Sequence, residues 1–187
     1  MQFRADILVR LHGVLVYLKD QVRTKLDPLG FARSIGVRLG ENVRFYGMSP
    51  RMFGSEPWLI TIGDNVHITS GCAFITHDGG TLILRKEVPD LELTAPITIG
   101  NDVYIGIRST ILPGVSIGNR CIIGAGSVVA RSIPDNCVAA GVPARVIKST
   151  DEYLASAMAR SLHFGHLSAR EKELALKEHF GIKASAE

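Results

Sequence analysis

A six-residue repeat covers residues 99–133 and constrains the fold of this chain more than any other feature. Each unit opens with a large aliphatic residue, and its fifth position is small or β-branched. The opening residues are Ile99, Ile105, Ile111, Ile117, Ile123 and Val129, and the fifth-position residues are Val103, Ser109, Val115, Cys121 and Ser127. A period of six matches neither an α-helix nor an alternating strand. It is typical of a three-sided parallel β-helix, in which three hexapeptides form one coil of about eighteen residues and the aliphatic side chains stack inside.

The same repeat occurs earlier in the chain, with two interruptions. Units begin at Leu39, Ile62 and Ile68, and Phe74 starts another. The distance from Phe74 to Ile99 is not a multiple of six, so an excursion must leave the coil, and we place it at residues 78–95. A shorter break lies near residues 49–58. Long connections in a compact fold are usually functional or disordered.

The two ends of the chain lack the repeat and have helical patterns. In residues 3–26, Ile7, Leu11, Val14, Leu18 and Val22 recur at spacings of three and four. We therefore predict one domain over residues 1–187: a helical segment at 1–34, the β-helix at 35–148 and C-terminal helices at 149–187. The N-terminal helix either covers the open end of the coil, packs on a neighbouring subunit, or attaches to a membrane surface through its basic residues.

Composition excludes several function classes. The 187 residues carry a net charge of only +3, which does not favour nucleic-acid binding. No apolar run approaches the length of a membrane span, and no signal peptide is evident, so we expect a cytoplasmic protein. The cysteines are Cys72, Cys121 and Cys137, which have no metal-ligand spacing; we expect packed free thiols and no metal.

His77 is the candidate for catalysis that the residues themselves indicate. It stands where the chain leaves the coil, beside the Gly79–Gly80 pair and at the root of the charged excursion. Histidine is the side chain best suited to accept a proton near neutral pH. Most histidines at turns have no special role, so spacing alone leaves this assignment open.

Several motifs resemble the left-handed β-helix acyltransferases, the hexapeptide-repeat family that includes galactoside, maltose and xenobiotic acetyltransferases. They are PITIGNDVYIG at residues 96–106, PGV at 113–115, IGAGSVV at 123–129 and AAGVPARVIK at 139–148. FGSEP at 53–57 and THDGG at 76–80 resemble a narrower branch found among bacterial polysaccharide and lipopolysaccharide gene products. The resemblance covers roughly residues 35–150. It implies an all-β, left-handed parallel β-helix with an N-terminal helix and C-terminal helices.

The resemblance also implies acetyl-CoA as the acyl donor, no metal, and a homotrimer with active sites between subunits. His77 matches the catalytic general base of the family, and Asp78 beside it either orients the imidazole or contacts the acceptor. The residues implied to bind the donor are Gly106, Ile107, Ala125, Ala130, Arg131, Arg145 and Lys148. Among them, Gly106 and Ile107 contact the pantetheine arm by backbone, and the basic residues meet the CoA phosphates.

The implied activity is O-acetylation of a sugar hydroxyl in a cell-surface polysaccharide or its precursor. Alternatives are N-acetylation of a nucleotide-linked amino sugar, and a non-catalytic β-helix scaffold. Residues 47–51 lack the asparagine that helps bind the acceptor in galactoside acetyltransferase, so the acceptor cannot be carried over from that enzyme. A carbonic anhydrase of this fold needs three zinc-binding histidines, and only His67 and His77 lie on the coils.

Overall fold

The computed structural model describes the backbone of residues 2–182 and the side chains of residues 13–182. The chain divides at Thr150 into two compact units, a β-helical unit with its N-terminal helices and a C-terminal helical unit. Residues 183–187, which the sequence prediction includes in the C-terminal helices, lie outside the described residues.

The first unit contains two helices followed by short strands. The helices are α1 (Gln2–Leu26) and α2 (Pro28–Ser34). The strands are β1 (Arg38–Leu39), β2 (Arg44–Tyr46), β3 (Ile60–Ile62), β4 (His67–Thr69), β5 (Ala73–Phe74), β6 (Ile97–Ile99), β7 (Tyr104–Ile105), β8 (Thr110–Ile111), β9 (Ser116–Ile117), β10 (Ile122–Ile123), β11 (Val128–Val129), β12 (Cys137–Gly141) and β13 (Ala144–Ser149).

These strands form three sheets, one on each face of a parallel β-helix. The first face is ordered β1-β3-β6-β9, the second β13-β12-β10-β7-β4-β2 and the third β11-β8-β5. Successive strands on a face pair in parallel, except that β12 and β13 pair antiparallel. The β-helix predicted from the repeat is therefore confirmed.

The register of the strands stacks equivalent repeat positions inside the coil. Ile99 pairs with Ile117, Ile105 with Ile123, and Ile111 with Val129. All six opening residues of the repeat are almost fully buried, and so are the five small fifth-position residues. Continuous burial of aliphatic side chains from coil to coil supplies most of the driving force for this architecture.

A ladder of polar side chains links successive coils at one corner of the β-helix. The backbone N–H of Asn101 donates to the Asn119 side-chain oxygen at 2.8 Å, and Asn119 N–H donates to Asp135 at 2.7 Å. Asp64 N–H donates to Asn101 at 2.8 Å across a separation of 37 residues, whereas Asn101 and Asn119 are separated by 18. The coil that contains the excursion is therefore longer in sequence, but its corner residues still form the same hydrogen bonds to the next coil.

The N-terminal end of the core is filled by α2, an element that the sequence prediction does not distinguish from α1. Asp27 caps α2 by accepting from Gly30 N–H at 2.8 Å, and Pro28 occupies its first turn, where proline is favoured. Phe31 and Ala32 of α2 are buried in the core.

The described part of the predicted apolar stripe of α1 is exposed. Val14, Leu18 and Val22 are each more than half exposed, and Ile7 and Leu11 lie outside the described side chains. Packing of this helix on a neighbouring subunit, or on a membrane surface, stays a prediction. Among the described residues, no helix combines the length and hydropathy needed to cross a membrane.

The end of the first unit differs from the predicted coil. Gly141 adopts a φ of 105°, a conformation that other residues rarely take, and Pro143 follows it in the turn. The chain consequently reverses, and β13 pairs antiparallel with β12. Arg145 and Lys148 therefore lie on a hairpin strand and not on a further hexapeptide coil.

The C-terminal unit contains two helices, α3 (Thr150–Met158) and α4 (Ala169–His179). Ser168 and Glu171 form a complete capping box at the start of α4. Glu171 accepts from Ser168 N–H at 2.9 Å, and Ser168 accepts from Glu171 N–H at 3.4 Å.

Candidate active site

The excursion leaves the third face through a short antiparallel stem. Strand pairing continues one residue beyond β5, because Ile75 N–H donates to the Ile111 carbonyl at 2.9 Å. His77 then forms a bridge with Thr94, and Asp78 N–H donates to the Leu93 carbonyl at 2.8 Å. Backbone hydrogen bonds therefore fix the chain both before His77, at Ile75, and after it, at Asp78.

His77 is hydrogen-bonded to a carboxylate from the other break in the repeat. Its Nδ1 lies 2.8 Å from Oε2 of Glu56. The hydroxyl of Thr76, which is fully buried, donates to the same oxygen at 2.7 Å. The segment carrying Glu56 is anchored by Met52 and Phe53, whose side chains are buried in the core.

The charge state of Glu56 determines which nitrogen of His77 is available for chemistry. Hydrogen bonds from Thr76 and then from His77 hold the pKa of Glu56 below its ordinary value, so the carboxylate is ionised at neutral pH. An ionised carboxylate only accepts hydrogen bonds. Nδ1 of the neutral imidazole therefore carries the proton, and Nε2 carries the free lone pair that a general base needs.

Asp78 has a different role from the one that adjacency to His77 suggests. Its Oδ1 accepts from Gly80 N–H at 2.9 Å and caps the 3-10 helix Gly79–Leu84, which opens the excursion. The partner of the His77 ring is Glu56, so Asp78 does not occupy the orienting position. Contact between Asp78 and an acceptor stays a prediction.

A cleft of about 470 Å³ opens beside His77. Apart from His77, Asp78 and Gly79, its lining is apolar: Ile75, Leu93, Ala95, Leu112, Pro113 and Ala130. The cleft therefore brings the two predicted catalytic residues together with Ala130, one of the predicted donor-binding residues. It is within the size range of ligand pockets, roughly 300–1,000 Å³.

Three other predicted donor-binding residues lie at the corner between the second and third faces. Gly106 and Ile107 follow β7, and Ala125 follows β10 on the next coil. Gly106 has no room for a side chain, because an added Cβ would lie 2.6 Å from Ala125 N. Ile107 and Ala125 are exposed at this corner, and the Ile107 carbonyl accepts from Gly126 N–H at 2.7 Å.

Two of the three predicted phosphate-binding cations share a groove. Arg131 and Arg145 both line a groove of about 160 Å³, together with Ser132 and Ala144. Arg145 also donates to the Ala144 carbonyl at 2.9 Å, and both arginines are exposed. Lys148 is half-buried on β13 and does not line this groove.

The cysteines show no sign of activation in the described part of the chain. All three are free, and burial raises the pKa of the Cys72 and Cys121 thiols. No group of three or more metal-binding side chains occurs among the described residues. The candidate chemistry therefore centres on His77 and Glu56.

Glu56 is the functional residue that the sequence prediction misses. The FGSEP motif contains it, and it falls in the second break of the repeat, but its contact with His77 spans 21 residues. The sequence signal that could have indicated Glu56 is that both breaks in the repeat, near residues 49–58 and at 78–95, contain polar residues. A regular coil places the two departures on neighbouring turns, where they can meet.

Comparison with known proteins gives a consistent set of relatives. Residues 96–131 match the family described as bacterial transferase hexapeptide (six repeats). The chain is 46% identical over 148 residues to Protein CapG of Staphylococcus aureus, covering 79% of this chain and 86% of that protein. It is 40% identical over 126 residues to galactoside O-acetyltransferase of Escherichia coli, covering 67% of this chain and 60% of that protein.

A solved structure shows the same architecture. The crystal structure of a hexapeptide-repeat-containing acetyltransferase from Vibrio cholerae aligns with a TM-score of 0.51 and 29% sequence identity. The alignment covers 63% of this chain and 76% of that chain.

Proposed function

Since the chain belongs to the hexapeptide-repeat acyltransferases, we propose that it transfers acetyl from acetyl-CoA to a sugar hydroxyl in a cell-surface polysaccharide or its precursor. The hydrogen bond between Glu56 and His77 carries this proposal, because it leaves Nε2 of a histidine that lines a cleft without the proton and so able to act as a general base. The similarity to a galactoside O-acetyltransferase supports transfer to a hydroxyl, whereas the identity of the sugar is not carried over, because residues 47–51 lack the asparagine of that enzyme.

The reaction proceeds by direct attack. Nε2 of His77 takes the proton of the acceptor hydroxyl while its oxygen bonds to the thioester carbonyl carbon. The imidazolium that forms is stabilised by the ionised Glu56 carboxylate on Nδ1. When the tetrahedral intermediate collapses, the C–S bond breaks, CoA leaves as a thiolate, and the proton on Nε2 passes to its sulfur. No enzyme nucleophile is required.

The donor is proposed to lie along the coil with its phosphates at the Arg131–Arg145 groove. Two guanidinium groups suit a diphosphate and a 3′-phosphate, since arginine binds phosphate oxygens bidentately. The apolar cleft that includes Ala130 suits the pantetheine arm and the acetyl group. Lys148 stands outside that groove, and its contact with a CoA phosphate stays a prediction.

We also propose a left-handed coil and a homotrimer. Asn65, Asp102, Arg108 and Arg120 adopt φ values of 53–58° at corners between strands of successive faces. The hand of the coil is proposed from the match to the hexapeptide-repeat family. Gly106, Ile107 and Ala125 lie at one corner, and Ala130 and Arg131 follow the third-face strand β11 at the next. We propose that one donor molecule contacts both groups, with each group supplied by a different one of two neighbouring copies of the chain in the trimer.

The test is an acetylation assay on purified protein with acetyl-CoA and a panel of sugars. We expect CoA release that depends on the sugar, and a product heavier by one acetyl group that mild alkali removes as an ester. An alkali-stable amide would identify an N-acetyltransferase instead. Absence of both transfer and CoA binding would favour the scaffold alternative.

A further inference from the structure

His77 borders a second cleft, on the side of the excursion, whose chemistry differs from that of the first. This cleft of about 230 Å³ shares His77, Asp78 and Gly79 with the apolar cleft. The rest of its lining is mostly polar and includes Ser55, Glu56, Thr81, Arg85 and Glu92. His77 therefore lines two clefts, one apolar and one with hydrogen-bonding side chains.

Arg85 and Glu92 form a fixed pair across this second cleft. Arg85 belongs to the outgoing arm of the excursion and Glu92 to the returning arm, and Nη2 of Arg85 is hydrogen-bonded to Oε2 of Glu92. Arg85 Nε donates to the Leu91 carbonyl at 3.0 Å, and Glu92 Oε1 accepts from the Thr94 hydroxyl at 2.6 Å. The pair therefore ties the two arms together beside His77.

The pair still has hydrogen-bonding capacity for a ligand. A guanidinium has five N–H donors, and these contacts use two of them. The side chains of Arg85 and Glu92 are 38% and 51% exposed. Donors and acceptors held side by side in this way match the hydroxyls of a sugar ring.

The charge of the second cleft disfavours an acidic ligand. Its lining includes the carboxylates of Glu56, Asp78 and Glu92 and the single guanidinium of Arg85, which Glu92 already neutralises. A ligand carboxylate or phosphate would have to approach these carboxylates without a spare cation. The cleft is smaller than typical ligand pockets of roughly 300–1,000 Å³, which suits one sugar ring.

We propose that this second cleft binds the acceptor as a single uncharged sugar ring and that the Arg85–Glu92 pair determines its specificity. The inference rests on the proposed acetyltransferase function and adds the acceptor class to it. Donor and acceptor then meet at His77, which lines both the apolar cleft and the polar cleft.

The test compares neutral and acidic sugars in wild type and Glu92→Gln. Methyl hexopyranosides of the galacto, gluco and manno series serve as acceptors, and their uronic-acid counterparts serve as inhibitors. Glu92→Gln removes one carboxylate and releases Arg85 while preserving shape. We expect the KM for the neutral acceptor to rise about tenfold and the inhibition constant of the uronic acid to fall about tenfold, with an unchanged KM for acetyl-CoA.

Glu173→Gln is the matched control, because it removes an exposed carboxylate paired with Lys177 in the C-terminal unit. Ser55→Phe provides a second variant that fills the cleft, and it should raise both the KM for the neutral acceptor and the inhibition constant of the uronic acid while leaving the KM for acetyl-CoA unchanged. If wild type acetylates a hexoside while Glu92→Gln and Ser55→Phe leave both sugar constants unchanged, the inference fails and the proposed function stands. If wild type acetylates no sugar at all, both fail.

Discussion

Glu56 Oε2 and His77 Nδ1 lie 2.8 Å apart although 21 residues separate them in the chain. Each residue comes from one of the two segments that leave the hexapeptide repeat. The regular coils on either side align these segments, so the repeat acts as the support on which an acid–base pair is assembled. The proposed acid–base chemistry therefore lies in the breaks of the repeat.

Replacing Glu56 by Gln should lower kcat about 10- to 100-fold and leave the KM for acetyl-CoA unchanged. The amide no longer stabilises the imidazolium, and a charge-assisted hydrogen bond is worth about 1.5–3 kcal/mol. Steady-state kinetics with saturating sugar provides the measurement. Asp78→Asn is the control, since Asp78 caps the 3-10 turn and should affect acceptor KM more than kcat. Equal kcat losses in the two variants would contradict the roles assigned here.

The stability contribution of Glu56 should depend on pH with a defined sign. Its pKa is lowered in the folded protein and returns towards the ordinary value of 4.5 on unfolding. The contribution is therefore complete above that value and is lost as pH falls through the lowered folded-state pKa. Thermal unfolding of wild type and Glu56→Gln from about pH 6 to about pH 3 should show a difference in Tm that shrinks with acidification. A difference independent of pH would contradict this assignment.

The Arg131–Arg145 groove predicts a phosphate-specific effect on donor binding. Arg145→Gln and Arg131→Gln should each raise the KM for acetyl-CoA about tenfold, because each removes a charge-assisted phosphate contact. Acetyl-pantetheine lacks the phosphates, so its KM should be the same in these variants as in wild type. Lys148→Gln tests the third predicted cation, and Arg44→Gln on β2 is a distant arginine control. An equal rise in KM for acetyl-CoA and acetyl-pantetheine would contradict binding of the CoA phosphates by these arginines.

Thiol modification should distinguish direct transfer from a covalent cysteine route. Cys72 and Cys121 are buried with raised thiol pKa values, whereas Cys137 is only half-buried. Iodoacetamide should therefore label Cys137 first and leave acetyl transfer intact, as mass spectrometry and a parallel assay would show. Loss of activity in proportion to labelling of Cys72 or Cys121 would indicate a cysteine intermediate.

The coil could be predicted from the sequence because its stabilising contacts repeat. A side chain such as Ile105 meets its equivalent, Ile123, one coil away, and the same rule applies to every unit. The position of His77 follows by the same logic, since a slip in the phase of the repeat marks where the chain leaves the coil.

Three features escaped prediction because their causes are not periodic. The start of α2 depends on the Asp27 cap, although Pro28 alone reads as the end of a helix. The reversal into β13 depends on the backbone of Gly141 within a motif that otherwise resembles a coil. The contact of Glu56 with His77 depends on how two irregular segments fold against each other, which no spacing rule describes.

The most direct test of this account is the turnover of His77 variants. Purified wild type, His77→Ala and His77→Gln would be compared for sugar-dependent CoA release at saturating acetyl-CoA, with circular dichroism to confirm that the β-helix is retained. We predict that kcat falls by roughly 10²–10⁴ in both variants while the KM for acetyl-CoA changes little. A correctly folded His77→Ala protein with near-wild-type kcat would contradict the assignment of His77 as the general base.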